Sequence, residues 1–352
     1  RGKMQDLPAG FPIRFPKMER EDGFGKALRP AAPREPGLPA GRLSAIMNGD
    51  SIDGCRGPAY RHASGTQKGG GQLENAQPKV WFITGAGSGI GKAVVNAALE
   101  NGDRVIATTR AAGKADLPDG CEGRALVLPL DVSDTSEAVY ENAVRKGCGR
   151  FGRIDVLVNS AGFGGVTNFE ETSEETIRRM FEVNLFGLMR VTRAVLPVMR
   201  RQRSGRIFNI ASAAGYSAGP VPYHTSKFAV TGFSASLAFE VAPFGIHVTN
   251  VAPGLFRTDF YARDKWGTEP DYHIPDYDGC RWQTDFVAEA QKHEQPGNPD
   301  KLARLLLEVA AGKNPPLHLA IGEDAPAVMD AYGDRLKQDT DAWREKAVRT
   351  GF

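Results

Sequence analysis

Val80-Trp81-Phe82-Ile83-Thr84-Gly85-Ala86-Gly87-Ser88-Gly89-Ile90-Gly91 is the stretch that decides how this chain folds. An unbroken apolar run ends at a threonine, and Gly85, Gly89 and Gly91 follow at GxxxGxG spacing, so the pattern predicts a strand, a tight turn and a helix start. Glycine admits a left-handed backbone, lets the main chain approach a phosphate and allows close packing of helix on strand. The helix N-terminus adds unpaired N–H groups and a favourable dipole. The stretch therefore marks where a pyrophosphate would sit, although the same turn also serves as a plain connector. A second constellation lies downstream: Asn159-Ser160-Ala161-Gly162, Asn184, Ser212 and Tyr223-His224-Thr225-Ser226-Lys227.

Around this centre the chain has two parts. Residues 1–78 are rich in Pro and Gly, lack periodic apolar spacing and include Gly69-Gly70-Gly71, a composition that does not bury enough apolar surface to offset its ordering entropy. They read as a disordered or non-native N-terminal extension, with Met47 an alternative start. From Lys79 to the C-terminus, short aliphatic or β-branched runs at 79–84, 104–109, 125–130, 154–158, 205–210, 246–251 and 316–321 alternate with longer helical patterns. Strands that are apolar without alternation suit a parallel sheet covered on both faces, and right-handed crossovers then give a doubly wound α/β domain over 79–352. Its ligands belong at the carboxyl ends of the strands. Thr172-Ser173-Glu174-Glu175 reads as a capping box opening a helix that runs through Asn184 to about Gln202. The helix Thr225–Val241 is apolar nearly all round, with Phe228, Val230, Phe233, Leu237 and Phe239, which predicts burial on two sides.

Together these motifs resemble the short-chain dehydrogenases/reductases. Thr84-Gly85 through Gly91 matches that family's TGxxxGIG, Asn159 to Gly162 its NNAG with one change, Ser212 and Tyr223 with Lys227 its Ser and YxxxK, Asn184 its helix asparagine, and Pro253-Gly254 with Thr258 its PGxxxT. The resemblance implies a Rossmann-type sheet of seven strands in the order 3-2-1-4-5-6-7 and a substrate lobe at about 256–297. That lobe holds Phe256, Phe260, Tyr261, Trp266, Tyr272, Tyr277, Trp282 and Phe286. It also implies the roles. Ser212 holds the substrate oxygen, Lys227 hydrogen-bonds the nicotinamide ribose and Asn184 completes a water-linked proton path to the lysine. Gly85, Ser88, Gly89, Ile90, Gly91, Asn159, Ala161, Gly162, Pro253 and Gly254 line the cofactor, Asp131-Val132 meet the adenine and Thr258 contacts the carboxamide. A homodimer or homotetramer is implied as well. One departure stands out: ten residues separate Ser212 from Tyr223, about two fewer than many family members carry, and Pro220 and Pro222 stiffen that shorter loop.

The chemistry also follows from the residues. Tyr223 and Lys227 are four apart, so a helix places them on one face, where an ammonium favours phenolate and lowers a tyrosine pKa from about 10 toward a usable range. Tyr223 is then the acid/base. Other uses of these residue types remain open: a turn cap for Ser212, a turn or capping Asp131, structural support for Asn159 and an N-cap for Thr258. At the end of the second strand, Thr109 stands where an acidic residue would accept bonds from the adenosine ribose, and Arg110 follows. A guanidinium pairs bidentately with a 2′-phosphate, so NADP(H) is preferred, with NAD(H) as the second option; Ser88, where many NADP-using relatives carry a basic residue, weakens the preference. The expected function is interconversion of a secondary alcohol and a ketone, on an apolar substrate given the aromatic lobe. A catalytically silent NAD(P)-binding sensor or scaffold is the alternative, and such relatives usually lose the tyrosine or the lysine.

Composition excludes other classes. With 352 residues, 24% charged and a formal net charge of +2, the chain lacks the basic excess of a nucleic-acid binder. Its densest basic run, Arg200-Arg201-Gln202-Arg203, falls at a predicted helix end, where cations suit the dipole. No run of 18 apolar residues spans a membrane. Cys55, Cys121, Cys148 and Cys280 are isolated and His224, His247, His273 and His318 have no ligand spacing, so no metal and a reducing, cytoplasmic location are expected.

Overall fold

The computed structural model describes residues 77–351 apart from 111–114, 122, 262–265, 268–269, 281–289 and 291. The predicted extension 1–78 thus lies outside the described residues except for its last two positions, and Trp282 and Phe286 of the predicted lobe lie outside them too.

Seven parallel strands form one sheet: β1 Val80–Thr84, β2 Arg104–Thr109, β3 Ala125–Pro129, β4 Val156–Asn159, β5 Gly205–Ile210, β6 Ile246–Pro253 and β7 His318–Ile321. Their spatial order is 3-2-1-4-5-6-7, as expected. The connecting helices are α1 Gly89–Glu100, α2 Glu137–Phe151, α3 Glu174–Phe181, α4 Leu188–Gln202, α5 Val221–Val241, α6 Pro299–Ala311 and α7 Ala325–Ala347. Successive side chains of a strand point to opposite faces, and both faces are apolar here. Trp81 and Ile83 join a core with α1 and α6, while Val80 and Phe82 join a second core with α2, α4 and α5. Each fully buried large side chain contributes about 1.5–3 kcal/mol. Trp81 tolerates this depth because its Nε1 donates to Asp103 Oδ2 at 2.9 Å.

Register aligns one row across five strands: Thr84, Asn159, Asn209, Asn250 and His318. The order reverses between β1 and β4, so a crevice opens at their carboxyl ends, beside the glycine turn.

Three local expectations are corrected. The predicted capping box does not form: Ser173 caps α3 by accepting from Thr176 N at 3.2 Å, while Thr172 Oγ1 turns back to donate to Asn168 O at 2.6 Å. The helix expected to run unbroken through Asn184 contains a π-helical segment, Glu182–Gly187, between α3 and α4. Finally, α5 starts four residues earlier than predicted and takes Pro222 into its first turn, where a missing N–H forfeits no bond. On that helix Val230, Leu237 and Val241 are buried, whereas Phe239 remains 75% exposed.

The described part of the lobe is fastened to the turn before α3. Glu171, itself 1% exposed, accepts from Ile274 N at Oε1 (3.0 Å) and from Tyr272 N at its carbonyl (3.1 Å). Asp271 Oδ2 accepts from Ser173 N at 2.8 Å.

Candidate active site

The glycine turn is fixed by close approach. Gly85 sits at φ +65°, and a Cβ there would lie 2.9 Å from Ala161 Cα and N. Only glycine suits both conditions. Thr84 Oγ1 ties the turn to the end of β4 by accepting from Ser160 N (3.1 Å) and Ala161 N (3.2 Å). Ser88 stands at the N-cap of α1 without a side-chain cap bond, so the helix presents its first N–H groups toward the crevice entrance uncapped by that side chain. Thr258 lies against the same turn, 3.5 Å by its Cβ from the place of a Gly89 Cβ, and its Oγ1 accepts from Phe260 N at 3.3 Å. It is therefore both a cap and a neighbour of the turn.

Across the crevice, three elements bring Ser212, Tyr223, Lys227 and Asn184 together. Ser212 follows β5, and its Oγ accepts from Ala214 N (3.1 Å) and pairs with the Tyr223 phenol. Tyr223 and Lys227 share one face of α5 and are both buried. The π segment turns Asn184 inward: its Oδ1 accepts from Phe163 N (3.0 Å), and its Nδ2 donates to Phe163 O (2.9 Å) and Ser226 Oγ (3.1 Å). A Cβ on Gly162 would stand 3.1 Å from Asn184 Oδ1 and 3.7 Å from Lys227 Nζ, so that glycine keeps the space between them.

The electrostatics differ from expectation. Burial pushes the Tyr223 pKa up to about 12, against the lowering effect of the Ser212 hydrogen bond, and burial brings Lys227 down to about 8. Spacing predicted a phenol lowered by the lysine. In the structure the Nζ donates to Ile210 O at 3.0 Å and lies 5.8 Å from the Tyr223 ring centroid, so desolvation prevails over attraction. A phenol in this state keeps its proton at neutral pH and can give it to an oxygen that gains negative charge.

Asn159 Nδ2 donates to Thr192 Oγ1 and Asn209 Oδ1, both at 2.9 Å, bracing the floor between β4, β5 and α4. Asp131 Oδ1 accepts from Ser133 N (2.9 Å) and Oγ (2.7 Å), a local turn. Burial works to raise the Asp131 pKa, but these bonds and the charges of Arg110 and Arg179 outweigh it and hold the carboxyl low. Val132 carries the carbonyl that Tyr140 OH meets at 3.0 Å. Exposed Arg110 lines a cavity of about 290 Å³ with Asp131 and Lys146.

Sequence reasoning missed several neighbours. Asp324, just before α7, accepts from Leu255 N at 3.0 Å and packs against Gly254, holding the Pro253-Gly254 turn. An apolar collar of Phe163, Val166, Met180, Ala214, Phe260 and Tyr261 surrounds Tyr223. Only the two lobe aromatics carried a signal; Phe163 and Met180 sit in other elements, and nothing in their local pattern points to the phenol. Among the described residues no cluster of three or more His, Cys, Asp or Glu could hold a metal, and no helix is long and apolar enough to cross a membrane.

Residues 79–266 match the family described as short chain dehydrogenase. The chain is 36% identical over 279 residues to an oxidoreductase of Botryotinia fuckeliana, covering 77% of this chain and 98% of the relative. It is 36% identical over 249 residues to a 3-ketodihydrosphingosine reductase of Bacteroides thetaiotaomicron, covering 70% and 88%. A solved short-chain dehydrogenase of Streptomyces avermitilis is similar with a TM-score of 0.70 and 37% identity, over 78% of this chain and all of that one.

Proposed function

The chain belongs to the short-chain dehydrogenase/reductase family of oxidoreductases, and from that membership we propose that it interconverts a secondary alcohol and a ketone with NADP(H), on an apolar substrate. The observation that carries this reading is the convergence of Ser212, Tyr223, Lys227 and Asn184 on the crevice beside the glycine turn. Keeping both tyrosine and lysine, buried and on one helix face, argues against a silent sensor.

The residues present fit a nicotinamide dinucleotide. The turn at Gly85 leaves no room for a side chain, and the N-terminus of α1 lacks a side-chain cap, so a pyrophosphate would complete it. Gly85, Ser88, Gly89, Ile90 and Gly91 would hold that group, Asp131 and Val132 the adenosine end, and Asn159, Ala161, Gly162, Pro253, Gly254 and Thr258 the remainder. When bound, the dinucleotide supplies or accepts the hydride. In the direction of reduction, Ser212 Oγ orients the carbonyl oxygen, and Tyr223 donates the proton that completes the alcohol. Lys227, with its ammonium destabilised by burial, hands a proton toward the phenol side of the site more readily than an exposed lysine does. Asn184 holds the Phe163 backbone and Ser226 in place around this path.

Arg110 supports the NADP(H) preference through its charge, with Lys146 a second cation at the same cavity. The apolar collar supports an apolar substrate, and the Bacteroides relative is by name a reductase of a keto compound. Exposed Phe186 and Phe239 support assembly as a homodimer or homotetramer, and the cysteine pattern a cytoplasmic location. A panel of ketones and alcohols, followed by NADPH and NADH absorbance, tests the proposal. Turnover lost in Tyr223→Phe supports it, and no turnover by wild type across the panel rejects it.

A further inference from the structure

Between Ser212 and the start of α5, residues 213–220 form a loop held by side chains that the reaction does not use. Its first turn packs flat on α5: Gly215 N donates to Ser212 O at 2.9 Å, and a Cβ on Gly215 would meet Thr231 Oγ1 at 2.7 Å. Next comes Tyr216, which is buried under its own bonds. Its hydroxyl accepts from Asn250 Nδ2 at 2.9 Å and pairs with His318 Nδ1 at 2.6 Å, which pins the turn to β6 and β7. The rest of the loop is different. Ser217 Oγ reaches only back to Ala213 O at 3.4 Å, within the loop itself. The tie to the scaffold is His224, whose Nδ1 lies 2.8 Å from Ser217 O.

We propose that His224, the residue after the phenol, is a positioning residue that clamps Ser217 and thereby holds the start of α5, with Tyr223, against the Ser212 turn. The inference rests on the reading of Tyr223 as proton donor. A carbonyl oxygen only accepts, so the hydrogen sits on Nδ1, and burial favours the neutral ring by lowering its pKa despite the carbonyl bond. The imidazole lies directly on Gly219, in the space a side chain there would need, and stands edge-on to the Tyr223 ring with centroids 5.9 Å apart. One ring thus touches the loop at two points and the phenol at a third. Tyr216 pins the Ser212 side of the loop, so slack at Ser217 is taken up on the other side, which leads into the start of α5 and Tyr223. A displacement of about 1 Å between reacting groups lowers rate by about 100-fold, so the clamp bears on turnover more than on cofactor binding.

The test uses full-length wild type, His224→Ala and His224→Asn. An asparagine amide places an N–H near the position of Nδ1–H, so it is the conservative rescue. With a ketone found by screening, His224→Ala is expected to lower kcat about 10- to 100-fold with NADPH affinity unchanged, and His224→Asn to return to within about threefold of wild type. Equal kcat in all three proteins, per correctly folded molecule, overturns the proposal, even where melting temperature falls. Long-range ¹⁵N–¹H spectra of the histidine rings give a readout independent of substrate: hydrogen on Nδ1 of His224 is expected. The opposite tautomer at His224 removes the clamp. If wild type reduces no ketone, the proposed reaction fails, while the spectra still decide whether the clamp exists.

Discussion

Replacing Gly85 with alanine separates two costs that the glycine turn combines. Gly85 has φ +65°, and its missing Cβ would stand 2.9 Å from Ala161 Cα and N, backbone atoms that Thr84 holds in place. The left-handed conformation costs an L-residue about 1–2 kcal/mol, and crowding of a packed site about 1–3 kcal/mol more. Gly152, the C-cap of α2, isolates the first cost: it has φ +80° and nothing within 4 Å of a Cβ. Gly149, inside α2 with open space around it, carries neither. Urea unfolding is therefore expected to give about 1–2 kcal/mol of destabilisation for Gly152→Ala and about 2–5 kcal/mol for Gly85→Ala. Gly149→Ala should gain about 0.5–1 kcal/mol, the helix preference for alanine. Only Gly85→Ala should also lose NADPH binding, read by nicotinamide fluorescence, because only it displaces the turn at the crevice. A Gly85→Ala protein as stable as Gly152→Ala, with wild-type NADPH affinity, would refute the argument from close approach.

Tyr223→Phe should lower turnover by about two to four orders of magnitude with little change in cofactor affinity, since it deletes a proton donor and keeps the ring in its collar; more than a tenth of wild-type activity would count against the assignment. Arg110→Ala should weaken NADPH binding by about 1.5–3 kcal/mol and leave NADH unaffected, as for a lost charge-assisted hydrogen bond, and equal losses in fluorescence titrations would show that Arg110 does not read the phosphate. Lys227 makes stability depend on pH. Its folded pKa of about 8 lies below the ordinary 10.5, so between those values the unfolded state binds more protons and stability rises with pH. That rise should be missing in Lys227→Met; the same slope in both proteins would mean that Lys227 is not charged and buried in this way.

The parallel sheet was legible because it rests on one-dimensional signals. The run Val80-Trp81-Phe82-Ile83 is apolar at every position, and the structure buries all four residues between two helical layers. The π segment was not legible. Glu182-Val183-Asn184-Leu185 reads as ordinary helix, and the extra residue per turn is set by what Asn184 reaches, the Phe163 backbone and Ser226 on other elements. The same holds for Thr172 and Ser173: both are good caps, and the choice fell to Ser173 because Thr172 was taken up by the Asn168 turn that Glu171 anchors. Polar pairing across the sheet escaped for a similar reason. Asn209, Asn250 and His318 are far apart in sequence and show no motif, yet parallel register sets them side by side, where Tyr216 and Ser234 complete their bonds.

Tyr223 and Lys227 show where spacing stops informing. Four residues on a helix put the ammonium and phenol on one face, and the structure keeps them there. Face, however, is not depth. The sign of a pKa shift depends on whether attraction between the groups exceeds the desolvation of each, and desolvation is a property of everything packed around them. Here the collar from Phe163, Met180 and Phe260 closes on the ring, and the Nζ is drawn to the Ile210 carbonyl at the end of β5. The tyrosine consequently holds its proton more firmly and the lysine less firmly than either does in water. That ordering favours a protonated donor for ketone reduction across neutral pH. Alcohol oxidation instead requires the phenol to accept a proton, so in this environment it depends on a charge or hydrogen bond that lowers the phenol pKa. With the same enzyme preparation, reduction should hold its rate from about pH 6 to pH 8, while oxidation should rise with pH over that range. Rates that fell in both directions together would point to loss of the fold, and oxidation faster at pH 6 than at pH 8 would contradict a phenol held protonated by burial.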